Sequence, residues 1–237
     1  LGADPARIPA SVEVSPATAD DARLDLLRAR GIERISIGVQ TFVAAEAAAI
    51  ARHQAPALVD SALRRISARR FPVFNLDLMY GLPGQDETSL AASIDAALTY
   101  GPSELYLYPL YVRPETAIAR RPGHEDRRLL LYRSARERLL ARGWRQESLR
   151  LFRAPGSSSG ERIAYRCQDD GMVGLGCGAR SYTRRVHYAN EWAVDQRRVR
   201  DLIGDYLARG ETDFAVAEHG YVLDDEDQRR RFVLLSL

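Results

Sequence analysis

The chain contains no lysine; all 34 of its basic residues are arginine. That excludes every chemistry needing a primary amine, including Schiff-base catalysis, a pyridoxal-phosphate site and a lysine-bearing phosphate loop. Cysteine is almost as scarce. Cys167 and Cys177 are too few for a disulfide framework or for a complete zinc or iron–sulfur site, and read as reduced thiols of a cytoplasmic protein. No apolar run approaches the ~20 residues of a membrane span. Basic blocks interleaved with aromatics are missing as well, which argues against nucleic acid as a partner. The four histidines, His53, His124, His187 and His219, show no metal-ligand spacing, and no metal site is expected.

What is present is ordinary globular composition: 237 residues, 46% hydrophobic, 28% charged, net charge +2. Such a chain buries a core of one large α/β domain, or of one and a half smaller ones. It begins at Leu1, not at a methionine, and ends inside the apolar run FVLLSL. It is therefore expected to be a fragment at both ends.

Residues 11–111 alternate short apolar strands with longer helical patterns, the signature of βα units around a parallel sheet. Strands are expected at 11–14, 34–39, 73–79 and 104–109. Helices are expected over 19–30, 43–51, 56–69 and from Asp86 to about Tyr100, with Gly31 as a stop, Pro56 in a first turn and Asp86 as a cap. The turn Gly81-Leu82-Pro83-Gly84 suits only flexible and φ-fixed residues. From about 115 the pattern changes to a helix at 125–142, strand-like pieces at 145–153 and 161–167, a glycine-rich segment, and helices at 194–209 and 225–235. The domains expected are 1–114 and 115–237, with a mobile loop at 154–160.

Against this apolar grammar four polar residues stand out. Strand alternation puts Ser11 and Glu13, then Ser36, Gly38 and Gln40, then Asn75, Asp77 and Met79 on single faces, with the polar ends toward the strand carboxyl termini, where α/β active sites form. Glu13 suits a ligand ammonium, Gln40 and Asp77 suit vicinal hydroxyls, and Arg52 suits a carboxylate. Together they fit an amino acid joined to a ribose. Each residue alone also has a plain structural reading: Asp77 as a partner for backbone or arginine, Gln40 as a helix cap, Arg52 as an exposed helical arginine. In GLGCG at 174–178, close backbone packing is favoured over a phosphate loop.

The segments SVEVSP, GIERISIGVQTF, IARH, NLDLMYGLPGQ, LYLYPLYVRPET and GLGCGARSYT, in this order, resemble the radical S-adenosylmethionine (SAM) proteins of the oxygen-independent coproporphyrinogen III oxidase-like family. The similarity covers about residues 8–183, and GVQTF followed by DLMYGLPGQ is its most specific part. It implies a partial (β/α) barrel lacking its first strands, with a C-terminal α+β extension. It also implies SAM contacts at Glu13, Gln40, Arg52 and Asp77, and further ones at Tyr111 and Arg180, whose side chains differ in type from the family's.

The family's C-x-x-x-C-x-x-C motif is not in this chain, so the implied [4Fe–4S] cluster takes its ligands from outside it, and these residues alone are expected to be inactive. Two departures bear on substrate: Tyr165-Arg166-Cys167-Gln168-Asp169-Asp170 stands where many members read H-N-x-x-Y-W, and His53 directly follows Arg52. The resemblance implies hydrogen abstraction by a 5′-deoxyadenosyl radical, with oxidative decarboxylation of a tetrapyrrole precursor as one outcome. Flavodoxin or ferredoxin would serve as electron donor. A haem-binding carrier and a radical SAM methyltransferase are the alternatives on the same barrel.

Overall fold

The computed structural model describes residues 9–52, 54–112, 126–157, 171–193 and 196–236. They fall into two compact units, one within 1–113 and 117–158, the other within 114–116 and 159–237.

The first unit is built on β1 (Ser11–Val14), β2 (Arg34–Gln40), β3 (Val73–Tyr80) and β4 (Glu104–Pro109), all parallel and paired in chain order. Between them run α1 (Asp21–Ala29), α2 (Ala44–Ala49), α3 (Pro56–Ala68) and α4 (Glu87–Leu98). The sheet then continues. After α5 (Arg128–Ala141), the short strands β5 (Arg145–Gln146) and β6 (Leu151–Arg153) add an antiparallel pair beside β4. The expected strand-like pieces at 145–153 are this hairpin; those at 161–167, and residues 158–160 of the expected loop, lie outside the described residues.

One face of the sheet is apolar. Ile35, Ile37, Val39, Leu76, Leu78, Leu105, Leu107 and Phe152 alternate along their strands and are all buried. The helices cover that face. Val59, Ala62, Leu63 and Ile66 form the buried stripe of α3, and Leu90, Ser93, Ile94 and Ala97 that of α4, each at helical i, i+3, i+4, i+7 spacing. Each fully buried leucine or isoleucine contributes about 1.5–3 kcal/mol, so the core between sheet and helices leaves the other face free to be polar. Helix ends follow local chemistry: Asp20 and Asp86 accept from the backbone N–H of Arg23 and Ser89, and Pro56 opens α3.

The second unit holds a three-stranded antiparallel sheet, β7 (Arg180–Tyr182), β8 (Val186–Ala189) and β9 (His219–Val222), with helices Gln196–Ala208 and Asp225–Ser236. Its glycine-rich segment packs as backbone. A Cβ on Gly174 would collide with the Arg180 carbonyl, and the Gly174 N–H donates to Ser181 Oγ at 3.0 Å. Among the described residues no helix is long and apolar enough to cross a membrane.

Candidate functional site: a polar sheet face

The face turned away from the helices carries Glu13 on β1, Ser36 and Gly38 on β2, Asn75 and Asp77 on β3, and Glu104, Tyr106 and Tyr108 on β4. Register aligns them in rows: Glu13 pairs with Ser36, Ser36 with Asn75, Gly38 with Asp77, and Asp77 with Tyr106. Strand alternation therefore delivers the polar residues of four neighbouring strands to one surface, with Glu13, Gly38 and Asp77 in the carboxyl halves of their strands and Glu104 at the amino end of its own.

Gln40 reaches this surface by a different route from the one alternation implies. The β2–β3 register slips between Gly38 and Gln40, so Gln40 lies opposite Leu78, with φ at 74°. Its side chain nevertheless folds back over Gly38. A Cβ built on Gly38 would sit 2.7 Å from Gln40 Nε2 and 3.3 Å from an Arg52 guanidinium nitrogen. Glycine at 38 thus makes room for both side chains. Arg52, just past α2, donates to the Gly38 carbonyl at 2.7 Å. Among the described residues its other N–H groups have no hydrogen-bond partner.

Of Glu13, Gln40, Arg52 and Asp77, Asp77 is the most buried, 8% exposed. Asn75, 1% exposed, donates through Nδ2 to Asp77 Oδ1 at 2.6 Å and to Ser36 Oγ at 2.7 Å, which fixes the carboxylate's orientation. Burial pushes the Asp77 carboxyl up to about 6 against the pull of the Asn75 bond, and the Glu13 charge adds to the rise while Arg34 and Arg52 oppose it. Burial lowers the Arg52 guanidinium, and the charges of Glu13 and Asp77 raise it. Glu13, Arg52 and Asp77 are thus electrostatically linked, and Gln40 is in direct reach of the same spot. Glu13 is exposed, which leaves the group open on that side.

Tyr111, 63% exposed, follows β4, and its hydroxyl accepts from Arg150 at 3.1 Å. Arg180 opens β7 in the second unit and is exposed. His53, His124 and Cys167 lie outside the described residues; Cys177 is exposed, in the second unit.

Two buried networks escaped sequence reasoning. At the amino ends of the strands, Glu104, 4% exposed, takes Arg34 at 2.8 Å and Arg153 at 3.0 Å. Behind the strand ends, buried Glu46 accepts from Thr41 at 2.5 Å and Gln85 at 3.2 Å, while Gln85 Oε1 accepts from the Gly81 N–H at 2.8 Å. The second network ties α2 to the GLPGQ turn, and so fixes the loop that carries Arg52. Glu104 shares strand parity with Tyr106 and Tyr108, a signal that was available; Glu46 sits in an alanine-rich helix and gave none.

Comparison with known proteins bears on this arrangement. No family model matches the chain. An oxygen-independent coproporphyrinogen III oxidase of Paracoccus denitrificans is 34% identical over 152 residues, 62% of this chain and 34% of the relative. Over 62–73% of its length the chain is similar to members of the oxygen-independent coproporphyrinogen III oxidase-like family. The heme chaperone HemW of Escherichia coli is 29% identical over 71% of the chain and 45% of its own length, and that of Synechocystis 30% over 73% and 43%. The chain thus spans about a third to a half of the length of these relatives. The solved coproporphyrinogen III oxidase of E. coli, a radical SAM enzyme, superposes over 98% of this chain and 55% of its own with a TM-score of 0.72 at 24% identity. That likeness shows the fold: a partial (β/α) barrel with an α+β extension. Its polar inner face is the surface described above.

Proposed function

We propose that this chain is the SAM-binding part of a radical SAM protein that acts on a tetrapyrrole precursor. One observation carries the reading: Glu13, Gln40, Arg52 and Asp77 meet at the carboxyl ends of three adjacent parallel strands, with Gly38 giving the room. The donor set fits SAM. Asp77, oriented by Asn75, accepts from the ribose hydroxyls; Gln40 lies beside it; Arg52 takes the amino-acid carboxylate through its free fork; Glu13 takes the ammonium. Tyr111 belongs to the proposal as a further contact, by resemblance alone.

SAM held here would supply, on one-electron reduction and cleavage of its C5′–S bond with release of methionine, a 5′-deoxyadenosyl radical able to abstract hydrogen, a chemistry that belongs to the cofactor. The chain's own residues hold and orient it on the polar face. A [4Fe–4S] cluster needs three closely spaced thiolates, and the two cysteines here, ten positions apart, do not fit that need. No step is assigned to the cluster through these residues. An external one-electron donor of the flavodoxin or ferredoxin kind completes the scheme.

The names of the relatives favour two outcomes on one scaffold, oxidation of coproporphyrinogen III and haem transfer. Calorimetric titration of SAM into the chain tests the shared part. Saturable binding is expected, weakened in Arg52→Ala by about 1.5–3 kcal/mol, the range for a hydrogen bond to a charged group. An unchanged dissociation constant in that variant would return Arg52 to a purely structural role. Titration with haem separates the two outcomes: tight haem binding with SAM bound favours the carrier.

A further inference from the structure

We propose that Arg150 is the residue that recognises a carboxylate of the substrate beside this site. The Leu107 N–H donates to the Arg150 carbonyl at 2.9 Å, which sets Arg150 next to Tyr108 across the β4–β6 edge. The guanidinium lies 5.5 Å from the Tyr108 ring centre and 6.0 Å from that of Tyr111, and one of its nitrogens donates to the Tyr111 hydroxyl at 3.1 Å. Two aromatic rings therefore hold it.

Its situation differs from that of its neighbours. Arg34 and Arg153 are taken by Glu104, Arg128 by Asp126, and Arg138 and Arg142 by Asp95. Among the described residues no carboxylate pairs with Arg150. Among the described residues one of its five N–H donors is used. A planar cation stacked on tyrosines loses little freedom when it binds, and its open fork matches a carboxylate bidentately. A single guanidinium beside a neutral phenol balances one negative charge, which favours a carboxylate over a phosphate dianion.

Register supplies the distance. Met79 pairs with Tyr108, and Asp77 precedes Met79 on the same face of β3, so Arg150 stands two strand spacings from the Asp77 strand, about 10 Å. A molecule lying along β4 beside a ligand held at Asp77 would present a carboxylate there. The inference rests on the proposed SAM site for what lies at Asp77, and on the geometry of Tyr108, Tyr111 and Arg150 for the rest.

The test compares coproporphyrin III, which carries four carboxylates, with its tetramethyl ester in one detergent-containing buffer, following absorbance as the chain is added, with SAM titrated separately. Arg150→Gln is expected to weaken coproporphyrin III binding about ten- to a hundredfold and to leave the ester unchanged. Arg150→Lys should recover part of the loss, because a point charge lacks the fork. SAM affinity should stay within about threefold in both variants. Coproporphyrin III binding equal in Arg150→Gln and wild type, absent in wild type, or lost in parallel with the ester would overturn the inference. Absence of SAM binding in the wild type would instead refute the underlying site, and the comparison of acid with ester would still decide the role of Arg150.

Discussion

Replacing Asp77 by asparagine should stabilise the chain at neutral pH. The Asp77 carboxyl is raised from an ordinary 3.8 to about 6, chiefly by burial. Between those values the native state binds more protons at this group than the unfolded state does, so its contribution to stability falls as pH rises, and above about 6 the penalty is complete. At ~1.4 kcal/mol per pH unit the rise corresponds to about 3 kcal/mol. Asparagine mimics the protonated acid, keeps an acceptor for Asn75 Nδ2, and brings one further N–H that needs a partner, which costs about 1 kcal/mol. A net gain of about 2 kcal/mol is expected at pH 7.5, and a loss of about 1 kcal/mol at pH 3.5, where the native group is neutral in both proteins and only the extra N–H counts. Urea denaturation of wild type and Asp77→Asn at the two pH values measures the difference free of the other carboxylates, which are common to both. A destabilised variant at pH 7.5, or the same difference at both pH values, would refute the burial argument.

Gly38→Ala should fold normally yet lose ligand affinity, since the new methyl meets only the movable ends of Gln40 and Arg52; a thermal melt with a SAM titration checks both halves. Glu104→Ala should destabilise the first unit by about 1.5–3 kcal/mol, because the half-buried Arg34 and Arg153 lose their buried partner and Arg153 keeps only Glu147 at 3.8 Å, and chemical denaturation reads this directly. Asp86→Ala should cost about 1 kcal/mol through loss of the α4 cap, seen as a lower urea midpoint with an unchanged slope.

The βα order of the first four strands was legible because each strand carries its own apolar run and each helix its own stripe, both local signals. Glu13 and Asp77 were legible for the same reason, through period-two parity. Gln40 was located for an incomplete reason: parity does not hold through a backbone with φ at 74°, and the side chain arrives by folding over a glycine. The hairpin β5–β6 was readable as strand, but its pairing with β4 depends on contacts distant in sequence. Arg150 is one of 34 arginines, and only the meeting of β4 with β6 sets it apart. The Glu46 network is likewise assembled from a loop, a short helix and a turn, each unremarked on its own.

A crystal structure of the chain soaked with SAM tests the central claim most directly. The ligand is expected on the polar face of the sheet, its ribose hydroxyls on Asp77 and its carboxylate on Arg52, within reach of Gln40 and Glu13. SAM bound elsewhere, or on this face without contact to Asp77 and Arg52, would contradict it.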